Sequence, residues 1–146
     1  MFWVMSAALY AYLTLKTDKY ATQAFIFFIT FNIAWAFVHG NGAFVTAFQL
    51  LFGLMTALMI LSMFYYQTTI GTPKTKRILQ LYIGTALAGL ICWLTDWHFC
   101  AEINEKLLVN PQLHSWWHVF IGMAAHYSLM FEFFMKQSLV KKDNEC

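Results

Sequence analysis

Charged side chains are absent from three long stretches of this sequence. No Asp, Glu, Lys or Arg occurs in residues 20–73, 78–95 or 107–131. A helix that crosses a bilayer needs about 20 mainly apolar residues, so each stretch can hold one span and the first can hold two. Sheets with open edges are excluded from lipid, because hydrocarbon cannot hydrogen-bond unpaired backbone groups. The pattern therefore predicts an all-α membrane protein.

The composition agrees with a chain that is solvated by lipid. Of its 146 residues, 60% are hydrophobic and 11% are charged, whereas soluble domains carry about 25% charged residues. The formal net charge is only +2, and no basic cluster is interleaved with aromatic residues, so the sequence predicts no nucleic-acid partner. Three cysteines are too few for a disulfide framework. Cys100 has only Cys92 nearby, and Cys92 lies two turns inside a predicted span.

Turn residues and charged runs divide the chain into five predicted helices. Two glycines around Asn41 separate the second helix from the third, and a Gly-Thr-Pro segment followed by basic residues separates the third from the fourth. We predict one transmembrane helical domain over residues 1–146. Its helices are Phe2–Leu15, Ala21–Val38, Ala43–Gln67, Ile78–Thr95 and Leu113–Met135, with a loop over Asp96–Gln112.

The basic residues predict the orientation of the chain in the membrane. Eight of the nine follow the first, third or fifth helix, and only Lys106 lies on the opposite side. The side that is rich in Lys and Arg faces the cytosol. We therefore expect a cytosolic C-terminus and a lumenal Asp96–Gln112 segment.

Two histidines at the start of the fifth helix are candidate metal ligands. His114 and His118 are four residues apart, which places both side chains on one helix face, one turn apart. Two neutral imidazoles can share a zinc ion, and a catalytic zinc has three protein ligands and a water. The alternative is a pair of interfacial histidines within an aromatic belt formed by Trp116 and Trp117. A position within a span favours the metal, because ionisable groups in lipid are costly and tend to be functional.

Asp96 ends the apolar part of the fourth helix and has two possible roles. It can orient a zinc-binding histidine from behind, or it can cap the helix end in the headgroup region. An ordinary structural role is favoured for the other polar residues: a helix end for His39, an interfacial position for His98, a buried hydrogen bond for His126, and pairing with Lys136 for Glu132.

Two segments close to the C-terminus resemble motifs of the alkaline ceramidase family. Cys92-Trp-Leu-Thr-Asp96-Trp-His-Phe-Cys100 is similar to the Trp-x-x-Asp-x-x-x-Cys segment at the end of that family's sixth helix. His114-Ser-Trp-Trp-His118 is similar to the His-x-Trp-Trp-His motif that begins its seventh helix. These two motifs are far more specific than a histidine pair alone.

The resemblance implies a fold, an activity and a set of site residues. The family consists of seven-helix intramembrane zinc hydrolases, which cleave the amide of ceramides to a sphingoid base and a fatty acid. By this resemblance the five predicted helices correspond to the last five of seven. His114 and His118 are then zinc ligands, Asp96 is a supporting residue, and ceramide is the membrane lipid substrate. We expect an integral protein of the endoplasmic reticulum or Golgi membrane.

The sequence departs from the family pattern upstream of these motifs. The family's third zinc histidine and a nearby serine, on its second helix, have no counterpart here, nor does an aspartate that opens its third helix. Met1-Phe-Trp-Val-Met5 resembles the residues that follow that aspartate. We therefore expect a truncated chain with little activity of its own. Two alternatives remain open: a non-catalytic remnant or regulatory membrane protein, and a relative of the progestin and adiponectin receptors.

Overall fold

A computed structural model describes residues 2–15, 19–39, 45–106 and 111–144. Within these ranges the chain forms five α-helices and no strand, so the predicted all-α fold and the number of helices are confirmed. The helices are α1 (Phe2–Thr14), α2 (Ala21–His39), α3 (Val45–Ile70), α4 (Pro73–Lys106) and α5 (Leu113–Asn144).

The fourth helix begins earlier than predicted, because the chain carries a cap that the sequence analysis missed. The Thr75 amide donates to Thr72 Oγ1 over 3.2 Å, and the Thr72 amide donates to Thr75 Oγ1 over 2.8 Å. This reciprocal pair resembles a capping box, with Pro73 at the first helical position, where its missing N–H costs nothing. The predicted start at Ile78 is therefore wrong, and the basic run that follows Pro73 is helical.

The predicted loop Asp96–Gln112 is also wrong over its first part, because α4 continues to Lys106. At 1.5 Å per residue, the 34 residues of α4 span about 51 Å, whereas the hydrocarbon core is about 30 Å thick. The polar end of α4 therefore extends beyond the apolar section as a helix. In the same way α5 continues past the predicted end at Met135 to Asn144.

Two of the five helices are long and apolar enough to cross a membrane, at Gln49–Ile70 and Pro73–Ile103 of the described residues. The prediction of five spans is thus not supported by length and composition: α1 has 13 residues, and α2 contributes only the shorter apolar stretch Ala21–Phe37. Only 22% of each long apolar window is buried inside the protein. The outward apolar faces indicate association with a membrane.

The short helix α1 lies at the centre of the packing and contacts α2, α3 and α5, while α4 and α5 form the most extensive helix pair. The buried side chains of α1 pack with those of α3, α4 and α5 in one apolar core. The core contains Met5, Ala8, Leu9 and Tyr12 from α1, Met55, Met59, Met63 and Tyr66 from α3, Ile78, Leu79 and Tyr82 from α4, and Ala124, Phe131 and Met135 from α5.

Gly89 allows α4 and α5 to approach closely. A Cβ atom at this position would lie 3.0 Å from Ile121 Cγ1 and 3.4 Å from Phe120 Cβ. Gly84 provides a matched control on the same helix, because a Cβ there would have nothing within 4 Å.

We expect Gly89→Leu to lower the free energy of unfolding by about 1–3 kcal/mol, the usual cost of overpacking. Gly84→Leu should be neutral or stabilising, because it removes a helix-interior glycine without a clash. Thermal unfolding of the purified variants in detergent checks this pair. Equal shifts in the two variants would contradict the close contact.

Candidate metal centre

The two candidate ligands on α5 turn their imidazoles toward each other. His114 Nε2 and His118 Nε2 are 3.3 Å apart, and the ring planes are inclined by 79°. A neutral imidazole has one donor N–H and one acceptor nitrogen. Two Nε2 atoms at this distance therefore require a proton or a cation between them. The predicted sharing of one helix face is confirmed.

The spacing of the two nitrogens fits a zinc ion. A tetrahedral zinc holds each imidazole nitrogen at about 2.0–2.1 Å, which places two such nitrogens about 3.3–3.4 Å apart. The observed separation between His114 Nε2 and His118 Nε2 is 3.3 Å. The donor chemistry and the geometry both suit the metal, and ligation itself stays a prediction.

Asp96 lies on the Nδ1 side of the His114 ring. Its Oδ2 atom is 3.7 Å from His114 Nδ1, and the side chain of Asp96 is 26% exposed whereas that of His114 is 59% exposed. The distance exceeds that of a hydrogen bond, about 3.2 Å at most, but it is an ion-pair distance. A carboxylate on Nδ1 favours the tautomer with the proton on that nitrogen, which leaves Nε2 as an acceptor. The capping interpretation of Asp96 is wrong, because α4 continues to Lys106.

Trp117, predicted from the sequence only as part of the motif and of an aromatic belt, is a buried residue of the site. It is 7% exposed, and its ring centroid lies 5.4 Å from that of His114 and 4.3 Å from that of His118. On its other side it meets Phe52 of α3 edge-on. Trp117 therefore restricts the rotation of both imidazoles, whereas Trp116, which is 52% exposed, remains suited to an aromatic belt.

The remaining candidate residues do not join this cluster. His98 and His126 are exposed, so the prediction of a buried hydrogen bond for His126 is wrong. Cys92 and Cys100 form no disulfide with each other. The side chain of His39 lies outside the described residues. Among the residues that the structure does describe, no three His, Cys, Asp or Glu side chains are grouped so that they could hold a metal ion.

An apolar cavity of about 270 Å³ reaches His118 from the interior of the bundle. Its walls come from α1, α3, α4 and α5, and they are mainly apolar, with Thr56, Tyr82, His118 and Ser128 as the polar lining residues. The lining residues are Met5, Ala8, Phe52, Thr56, Met59, Tyr82, Ala86, His118, Ile121, Gly122, Ala124, Ala125 and Ser128. The histidine pair thus stands between the surface of the bundle and a space suited to hydrocarbon.

The sequence is similar to those of several proteins named as alkaline ceramidases. The chain is 31% identical to an alkaline ceramidase of Arabidopsis thaliana over 134 residues, which cover 91% of this chain and 52% of the relative. It is 25% identical over 95 residues to an alkaline ceramidase of Saccharomyces cerevisiae, covering 56% of this chain and 30% of the relative. An alkaline ceramidase of Mus musculus is 22% identical over 95 residues, with coverages of 60% and 35%.

The chain spans about half the length of the Arabidopsis relative and about a third of the other two. No solved structure matches it significantly. The family model for ceramidases matches residues 1–146, the whole chain. The resemblance to the alkaline ceramidases is therefore confirmed, and the protein belongs to the ceramidase family.

Proposed function

We propose that this chain forms the metal-binding part of a zinc-dependent hydrolase that cleaves the amide bond of ceramide to a sphingoid base and a fatty acid. The observation that carries the proposal is the pair of facing Nε2 atoms, 3.3 Å apart, in a member of the ceramidase family. The relatives named as alkaline ceramidases support the substrate class.

Each side chain of the candidate centre has a physical task in this proposal. His114 and His118 would hold the metal through their Nε2 lone pairs, and the charge of Asp96, 3.7 Å from His114 Nδ1, favours the tautomer with the proton on that nitrogen. Trp117 limits rotation of the two rings, so that the nitrogens stay aligned before a metal arrives. When bound, zinc supplies polarisation of the amide carbonyl and activation of water.

The cavity beneath His118 provides the binding site for one hydrocarbon chain of the lipid. Its apolar walls stabilise a buried chain by removing hydrocarbon surface from water, at about 25 cal/mol per Å². A chain seated with its polar end toward His118, which lines the cavity, has that end beside the histidine pair. The binding of the chain thereby orients the amide at the metal centre.

The same proposal includes the arrangement in the membrane. α1 to α5 are taken as the last five of seven transmembrane helices, in an integral protein of the endoplasmic reticulum or Golgi with its C-terminus in the cytosol. The two long apolar helices support the membrane location, and the distribution of the basic residues supports the orientation. Protease treatment of sealed microsomes tests the orientation, and a C-terminal tag that is protected would contradict it.

Metal dependence is the direct test of the proposed activity. The protein for this test is a chimera that joins the chain to the part of the Arabidopsis alkaline ceramidase that the match does not cover. Release of fatty acid from ceramide should stop when a chelator removes the metal, and it should return when zinc is restored. Hydrolysis that persists after complete removal of the metal would refute the zinc-dependent mechanism.

Asp96→Asn should weaken zinc binding by about 10–100-fold, the usual loss when a partner of a metal-binding histidine is changed. Asparagine keeps the size of the side chain, but it lacks the charge that favours the tautomer with the proton on His114 Nδ1. Competition with a coloured zinc chelator measures the affinity of the purified chain. Glu105→Gln is the matched control, because Glu105 is an exposed carboxylate on the same helix. Equal affinities for the Asp96→Asn protein and the wild type would remove Asp96 from the site.

A further inference from the structure

We propose that Tyr82 forms the floor of the cavity below His118, and that it limits the length of the hydrocarbon chain that the protein can bind. The proposal rests on the proposed function, in which this chain belongs to the ceramide whose amide lies at the metal centre. It concerns the specificity of binding, so it can be tested without catalysis.

The cavity has a defined direction along α5. His118 and Ser128 both line it, and ten residues of helix separate them, or about 15 Å at 1.5 Å per residue. α4 runs antiparallel beside α5, since Asp96 faces His114 and Gly89 faces Ile121. These two contacts are seven residues apart on each helix. A further seven residues along each helix place Tyr82 opposite Ser128, at the end of the cavity that is distant from the histidines.

Beyond this level the interior is closed by a hydrogen-bonded aromatic cluster. The Tyr12 hydroxyl donates to the carbonyl oxygen of Ser128 over 3.1 Å, and the Tyr66 hydroxyl donates to the carbonyl oxygen of Tyr12 over 2.6 Å. The rings of Tyr12 and Tyr66 stack at 6.0 Å, and Tyr12 also packs against Phe131, which is fully buried. A hydrocarbon chain cannot pass this cluster without breaking buried hydrogen bonds, so a longer chain can gain room only in the space that the Tyr82 ring fills.

Tyr82 differs from the two tyrosines of that cluster. It is 3% exposed and lines the cavity, yet its hydroxyl makes no hydrogen bond with any residue that the structure describes. The hydroxyl is not among the fully enclosed unpaired atoms, so it stays accessible from the cavity, and an apolar chain end that covers it removes its solvation without replacing the hydrogen bond. Tyr82 therefore limits the chain in two ways, through the volume of its ring and through the cost of desolvating its hydroxyl.

Binding of two ceramide series tests the inference on the purified 146-residue chain in detergent. In one series only the N-acyl chain lengthens, and in the other only the chain of the sphingoid base. Displacement of a fluorescent fatty acid reports the affinity. With wild type, each added methylene should strengthen binding by up to about fourfold in one of the series, until the chain reaches Tyr82. Longer chains should then bind no better or more weakly.

Three variants make the test specific. Tyr82→Ala should move the limit to longer chains, and binding of short chains that do not reach this residue reports correct folding. Tyr82→Phe should keep the limit, because the ring remains, but it should improve the binding of chains that just reach the floor. Tyr65→Ala is the control, since Tyr65 lies on α3 at 57% exposure and does not line the cavity.

The inference is overturned if neither series shows a limit, or if Tyr82→Ala leaves the limit where it is in wild type. Failure of every ceramide to displace the fatty acid would overturn both the length limit and the lipid-binding role of the cavity. A limit that moves with Tyr82→Ala, found together with hydrolysis that does not depend on metal, would sustain the inference and refute only the proposed zinc chemistry.

Discussion

Replacing His118 with alanine should abolish zinc-dependent hydrolysis by the chimera. It should also reduce the zinc affinity of the chain by a larger factor than the loss of about 10–100-fold expected for Asp96→Asn, because Asp96 acts on a ligand and is not one itself. The physical reason is the loss of one of the two nitrogens that face each other across 3.3 Å. His114→Ala should have the same effect, because either imidazole alone is a weak site. Metal content after dialysis and the rate of fatty-acid release are the two measurements.

His126→Ala is the matched control for these variants. His126 lies on the same helix but is exposed and does not line the cavity below His118, so zinc affinity and turnover should remain close to wild type. His118→Cys adds a rescue, because a thiolate is also a good zinc ligand, and it should recover part of the lost affinity. Unchanged metal content in both alanine variants would show that the pair is not the metal site.

The 146-residue chain alone should hydrolyse ceramide at least about 10²–10⁴-fold more slowly than the chimera, the factor that a positioned general acid–base contributes. A catalytic zinc takes three protein ligands and keeps one open position. Among the described residues the structure brings together two imidazoles and one supporting carboxylate. Fatty-acid release by equal amounts of the two zinc-loaded proteins measures the difference.

Both proteins must be purified from a host without ceramidase activity, and the chimera with His118→Ala gives the background rate. If the chain alone matches the chimera, its own residues complete the site. His39 would then be the first candidate, because it ends α2 and its side chain lies outside the described residues. His39→Ala in the chain alone would decide whether it is the third ligand.

The absence of charge along the sequence predicted the helices well but their ends poorly. Stretches without Asp, Glu, Lys or Arg locate residues that can be surrounded by lipid, and all five helices contain such a stretch. They do not show where a helix stops in water, because Glu and Lys are themselves good helix formers. For this reason the prediction ended α4 at Thr95 and α5 at Met135, whereas both continue through charged segments to Lys106 and Asn144.

The candidate site was predictable where it depends on spacing within one helix. A separation of four residues was enough to place His114 and His118 on one face. The approach of Asp96 to His114 depends on the register between α4 and α5, which no local pattern determines. Tyr82 gave no signal at all, because an aromatic residue in an apolar helix cannot be distinguished by sequence from other core residues.

His118 and Ser128 belong to a single uninterrupted helix. This continuity restricts how relatives could evolve a preference for lipids of another chain length. Inserting one residue between them would lengthen the cavity by about 1.5 Å, but it would also turn every later side chain by about 100°. Ser128 and Phe131 would then leave the core. We therefore expect divergence in lipid selectivity to proceed by exchange of side-chain volume at the floor, and not by insertions or deletions within α5.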